Sequence, residues 1–283
     1  MRLRASALTA LLGLAMTPAL LATAPSARAG EPAPAPAQPL AIGETFVIDS
    51  EVLGEARRIN VYRPDVDGDK PLPVLYMPDG GIGEDFLHIA GLVQIGSMNG
   101  TMHPVMLVGI ENTDRRRDMT GPSRIPADRE IAPRLGGSAA FREFIADELM
   151  PRIGDRYAVN GETAIIGESL AGLFVVESLA EAPELFDIWI AIDPSLWWNG
   201  GHLVEAVPAR LREREPVATE RLFLASSDET GIATPTAALA GALSDVAGIG
   251  VEYAPMPDEH HHTIYHPAAL AALRKAFAPP PLD

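Results

Sequence analysis

Ser169 lies in the run Ile166-Gly167-Glu168-Ser169-Leu170-Ala171-Gly172, where the apolar stretch Thr163 to Gly167 gives way to a helical pattern from Leu170 to Leu179. A serine on a sharp strand-to-helix turn presents its hydroxyl outward and can attack a carbonyl carbon. Such a turn strains the backbone, so the residues two before and two after the serine must be small. Gly167 and Ala171 meet that demand, and Gly172 lets the helix pack closely on the sheet. The plainer reading makes Ser169 a helix cap. What separates the two readings is whether the chain also supplies a base and an acid.

A serine hydroxyl needs a histidine to take its proton and a carboxylate to orient that histidine. Histidines crowd at His260-His261-His262 and His266, after the last apolar strand pattern and before the last helical one. The acid is expected just after the strand pattern Leu222 to Ala225, in Ser226-Ser227-Asp228-Glu229. Asp228 is the first choice and Glu229 the second. Asp258 and Glu259 lie nearer the histidines in sequence and read equally well as surface charges. The oxyanion of a tetrahedral intermediate needs two backbone N–H donors. Leu170, at the positive end of a helix, offers one. Asp79-Gly80-Gly81 ends an earlier strand pattern and offers the other, from Gly81 or else Gly80.

Three consecutive histidines also invite a zinc reading. Adjacent side chains diverge, and His262 with His266 would need a third ligand, so no metal and no cofactor is expected. Arg115-Arg116-Arg117 interrupts an acidic chain; Arg115 and Arg117 are candidates to receive a negatively charged substrate, or else pair with Asp114 and Asp118. Trp197-Trp198 could provide a stacking wall, with Trp197 the candidate, or could pack in the core.

These residues need a scaffold to bring them together. Thr45–Asp49, Arg58–Tyr62, 73–77, Val105–Ile110, Thr163–Gly167, Ile188–Ile192, Leu222–Ala225 and Val251–Ala254 read as strands. Phe141–Ile153, Leu170–Leu179, Leu203–Leu211, Pro235–Leu243 and Pro267–Phe277 read as helices. The alternation implies an α/β fold, a mostly parallel central sheet with helices on both faces. In such a sheet chemistry belongs on the loops at the carboxyl ends of the strands. Every candidate above falls on one of them. The chain order serine, acid, histidine is that of the α/β-hydrolase fold.

Arg2 and Arg4, an apolar run from Ala7 to Ala22, and Ala27-Arg28-Ala29 make residues 1–29 a signal peptide, cut before Gly30. The run is too short and too interrupted, by Thr17 and Pro18, for a membrane span, so no stable membrane insertion is expected. Residues 30–43 form a Pro/Ala-rich linker, 44–279 a single domain and 280–283 a tail. The protein is expected to be exported, to the periplasm or beyond. With no cysteine, lipid anchoring, disulfides and thiolate metal sites are excluded. A net charge of −16 repels phosphate backbones and excludes nucleic acid as a partner. Oligomeric state leaves no mark in the sequence.

Three segments resemble the Putative esterase family, also called the esterase D family. They are Val108-Gly109-Ile110-Glu111-Asn112-Thr113-Asp114-Arg115, Gly167-Glu168-Ser169-Leu170-Ala171-Gly172-Leu173-Phe174 and Asp193-Pro194-Ser195-Leu196-Trp197-Trp198-Asn199. The resemblance runs from about Phe46 to Phe277 and is strongest to the branch of enterobactin and salmochelin esterases. It implies an acidic pair, one variable residue and then the catalytic histidine, which on Asp258-Glu259-His260-His261 selects His261; His260 stands where the family usually has Asp, Asn or Thr. Mycolyltransferases, which share the architecture, place an oxyanion donor after a similar Asp-Gly pair, in keeping with Gly81. The family's acid varies, and some siderophore esterases work with serine and histidine alone. The resemblance therefore implies a serine esterase acting on a small-molecule ester, a catechol siderophore trilactone at the level of the branch. General short-chain or acyl-carbohydrate esters, and a non-catalytic binding protein on the same scaffold, are the alternatives.

Overall fold

Runs of Val, Ile and Leu that are apolar on both faces can be satisfied only where helices cover both sides of a sheet. The computed structural model, which describes residues 37–66, 68, 70–215 and 220–279, has that arrangement. Residues 1–29, the first half of the linker (30–36) and the tail lie outside the described residues. Every helix and strand described falls between Glu44 and Ala276.

Strands β1 (Glu44–Ser50), β2 (Glu55–Tyr62) and β3 (Leu72–Pro78) precede helix α1 (Phe86–Met98) and β4 (Met106–Ile110). Short helices α2 (Arg115–Asp118) and α3 (Pro126–Ile131) follow, then α4 (Ser138–Phe144), which runs through a π-helical turn into α5 (Met150–Arg156). The second half alternates regularly: β5 (Val159–Glu168), α6 (Leu170–Glu181), β6 (Ile188–Ile192), α7 (Leu203–Glu213), β7 (Glu220–Ser226), α8 (Thr230–Leu243), β8 (Ile249–Pro255) and α9 (Tyr265–Ala276).

The eight strands form one sheet in the order β1-β2-β4-β3-β5-β6-β7-β8. Pairing is antiparallel for β1–β2 and β2–β4 and parallel from β4 onward. Alternate residues of one strand feed opposite cores. Ile165 and Trp189 pack on the side covered by α4 to α8, whereas Ile166 and Ile190 pack on the side covered by α1 and α9. The expected α/β-hydrolase architecture is thus the observed one, with each expected strand present within a few residues.

Helices α1, α2 and α3 escaped the sequence pattern, and α1 is the longest of them. Helix α1 carries Gly91 and Gly96, poor helix formers, in a segment apolar on most sides, so no clean period emerges. Tertiary packing overrides that propensity. Helices α8 and α9 also begin before the prolines expected to open them, at Thr230 and Tyr265.

Candidate active site

Ser169 sits between β5 and α6 with φ 58° and ψ −117°, a backbone region that costs a non-glycine residue about 1–3 kcal/mol. Neighbouring loops hold it there. Ser169 N–H donates to Ile192 O at 3.1 Å, and Ser195 N–H donates to Ser169 O at 3.0 Å. A Cβ on Gly167 would come within 2.5 Å of the Ala171 carbonyl carbon, which is why that position must be glycine. The turn therefore has the compact form expected from the sequence, with the serine hydroxyl partly exposed at its tip.

His261 Nε2 lies 3.1 Å from Ser169 Oγ. The histidine stands in the β8–α9 loop, pinned on its far side by the fully buried Ile264 and by N–H bonds from Thr263 and Ile264 to His260 O. Of the four clustered histidines the structure brings only this one to the serine. His260 turns outward and stacks on His262, while His266 meets His88 of α1 at 2.9 Å.

The carboxylate on His261 is Asp193 and not Asp228. Asp193 Oδ2 lies 2.6 Å from His261 Nδ1, and the side chain is fully buried. Asp228 is displaced from the expected place by the geometry of its loop: two residues beyond the end of β7 it is exposed, and its Oδ2 lies 2.8 Å from His260 Nδ1 instead. The β7 loop still contributes. Ser227 donates its N–H and its hydroxyl to the two oxygens of Asp193, at 2.6 and 2.9 Å. Asp193 itself, with φ 45°, follows β6 in the segment Asp193-Pro194-Ser195-Leu196-Trp197-Trp198. That segment is distinctive in the sequence, but the usual chain position of the acid favoured the next loop.

Leu170 opens α6, so its N–H is one of the unpaired donors of a helix's first turn and lies next to the nucleophile. Gly81 is differently placed. Its N–H donates to Glu84 Oε2 at 2.6 Å, and the N–H of Gly80 donates to Ile110 O. Both donors expected in this loop are therefore engaged within the chain. Gly80 is required for another reason: a Cβ there would lie 2.2 Å from the Gly109 Cα on the adjoining strand.

The arginines are also engaged. Arg115 makes a two-pronged pair with Asp79, at 2.6 and 2.8 Å, and Arg117 binds Glu55 and Asp118. Arg116 donates to Ile131 O. The expected role of Arg115 and Arg117 in receiving an anion meets side chains whose charge is already matched. Trp197 is partly buried, its ring centre 6.0 Å from that of Trp198, whose Nε1–H donates to Gly121 O.

Around Ser169 the field is negative. The Asp193 hydrogen bond raises the pKa of His261 above 6.5, with Glu168 and Glu229 adding to it against the opposing effect of burial. Burial lifts Glu168 to about 7, its charged neighbours His261 and Arg115 opposing the rise and Asp193 and Asp79 adding to it. Burial, with Asp79 behind it, lifts Asp85 to about 6. A serine, a histidine raised in basicity and a buried carboxylate in one hydrogen-bonded line can carry out nucleophilic acyl transfer.

Known proteins agree with this chemistry. The family model described as Putative esterase matches residues 50–240. The chain is 28% identical over 153 residues to an iron(III) salmochelin esterase of Escherichia coli O6:H1, covering 52% of this chain and 34% of that one. It is 31% identical over 188 residues to a siderophore triacetylfusarinine C esterase of Aspergillus fumigatus, covering 57% and 58%. The chain thus spans about a third to somewhat over half the length of these relatives. Among solved structures, an IroE-like serine hydrolase from Shewanella oneidensis superposes with a TM-score of 0.75 at 28% identity, covering 83% of this chain and 80% of the other.

Proposed function

The chain belongs to the Putative esterase family, and from that premise we propose that it is an exported serine esterase in which Ser169, His261 and Asp193 act together. The observation that carries the proposal is the unbroken line Ser169 Oγ, His261 Nε2, His261 Nδ1, Asp193 Oδ2, with steps of 3.1 and 2.6 Å across its hydrogen bonds. His261 takes the Ser169 proton as Oγ attacks the ester carbonyl, and Asp193 stabilises the imidazolium that results. The Leu170 N–H faces the oxyanion. Gly81 joins it only when the Glu84 carboxylate gives way to the substrate. The alcohol leaves with the proton from His261, and water then cleaves the acyl-enzyme by the same route.

Siderophore esters are the substrate class favoured by the relatives, named as esterases of salmochelin and of triacetylfusarinine C. Export rests on the pattern of residues 1–29. The test is fluorophosphonate labelling and hydrolysis of p-nitrophenyl butyrate by the wild-type chain and by Ser169→Ala. Labelling and turnover that vanish in the variant support the esterase. Absence of labelling in the wild type overturns it in favour of a binding protein on the same scaffold.

A further inference from the structure

The Ser–His–Asp line leaves one neighbouring carboxylate without a role. Glu168 directly precedes the nucleophile, is only 17% exposed, and places Oε1 3.5 Å from His261 Nε2. That nitrogen is the one that returns a proton to the departing alcohol, so Glu168 borders the space the leaving group must occupy. Among the described residues no backbone or side-chain donor holds its carboxylate as Ser227 holds Asp193. Its charged neighbours come from four elements: His261 before α9, Arg115 of α2, Asp193 after β6 and Asp79 after β3. Arg115 is the fixed cation among them, and Asp79 already takes its charge through two hydrogen bonds. Asp85, beyond Arg115, adds a further carboxylate, and Glu229 acts on His261 from the β7 side.

We propose that Glu168 is a specificity-determining residue, which makes the site select esters that are neutral or cationic beside the leaving oxygen and discriminate against anionic ones. The inference rests on the serine-esterase reading and narrows its substrate class. Ferric tricatecholates are strongly anionic, and Arg115, the arginine beside Glu168, is already paired with Asp79. Hydroxamate-chelated ferric esters, which carry no net negative charge, meet no such repulsion. Because Glu168 ionises near pH 7, the discrimination strengthens as pH rises through neutrality. Ionised carboxylate and substrate anion repel; the protonated acid and the same anion do not.

The test compares two butyrate esters whose leaving groups differ in charge, 3-(trimethylammonio)phenyl and 3-carboxyphenyl, through the ratio of their kcat/KM values. Both charges are fixed between pH 6 and 8, and His261 serves both esters, so its titration cancels in the ratio. In the wild-type protein the cationic-to-anionic ratio is expected to rise with pH across that window. In Glu168→Gln it is expected to be flat and about tenfold lower at pH 8, and Glu168→Asp should restore most of it. A wild-type ratio that is flat with pH, or a ratio unchanged by Glu168→Gln, overturns the proposal. The wild-type pH series decides it even if the variant folds poorly. Serine-independent turnover, or no labelling by a fluorophosphonate, instead brings down the esterase reading on which the proposal stands.

Discussion

At the scale of the residue, Asp193 and Asp228 pose the sharpest contrast. Asp193→Asn lets an amide N–H face His261 Nδ1, which favours the tautomer with its proton on Nε2, unable to accept from Ser169, so kcat is expected to fall by about 10³–10⁴. Asp228→Asn alters an exposed contact with His260, and kcat should stay within a few-fold of wild type. Steady-state kinetics on one simple ester separates the two; equal losses would return the acid to Asp228. The pH profile follows from His261. The proposed mechanism needs the neutral imidazole, and the folded pKa is raised above 6.5, chiefly by the Asp193 bond. The acid limb of kcat/KM is therefore expected above pH 6.5 and should move downward in Asp193→Asn. The same shift has a sign for stability: the His261–Asp193 contribution is full below pH 6.5 and is lost as pH rises through the folded value. Ser169 was legible because an elbow is a local pattern of small residues. The acid was not, because which of two adjacent loops reaches the imidazole depends on the directions taken by the ends of β6 and β7. The bond on Gly81 was not legible for a similar reason: no local pattern announces that Glu84, three residues on, accepts its N–H.

At the scale of the element, the β5–α6 turn concentrates the constraint. Gly167→Ala places a methyl against backbone atoms of Ala171 at 2.5 and 2.6 Å, and backbone cannot yield as a flexible side chain does. The variant is expected to lose about 2–4 kcal/mol in urea denaturation. It should also label more slowly with a fluorophosphonate, since relief of the clash moves Ser169. Normal stability and labelling would mean the turn is looser than described. Strands and most helices were legible because parallel strands buried on both faces appear as unbroken apolar runs. Helix α1 was not, because Gly91 and Gly96 weaken the local signal while the core formed by Phe86, Ile89 and Val93 supplies the stability that propensity lacks.

At the scale of the whole molecule, one buried ion pair ties distant parts of the chain. Arg57 of β2 is fully buried, binds Asp118 of α2, and lies over the Phe141 ring of α4 at 5.3 Å. Asp118→Asn leaves a buried guanidinium with only Glu55 to balance it, and the expected loss is about 3 kcal/mol. Glu252→Gln breaks the Lys275 pair at an exposed site and should cost less than about 1 kcal/mol. Comparable losses in the two variants would contradict the burial argument. Strand alternation places Arg57 with Ile59 and Val61 on the buried face, but nothing local in the sequence names Asp118 as its partner.

The stitching of Ser169 to Ile192 and Ser195 has a consequence for how such a site can be inherited. Ser169 and Asp193, the proposed nucleophile and acid, belong to one continuous stretch, β5 through the loop after β6, in which main-chain bonds tie Ser169 to the residues on either side of Asp193. Only the histidine arrives from elsewhere. That stretch behaves as a cassette: transplanted into a related sheet, it carries its own internal alignment and asks of the host little more than an imidazole presented at the right height. The end of β7 and the loop after it need only keep Ala225 and Ser227, which hold Asp193, and beyond Ser227 the loop is free to change length and composition.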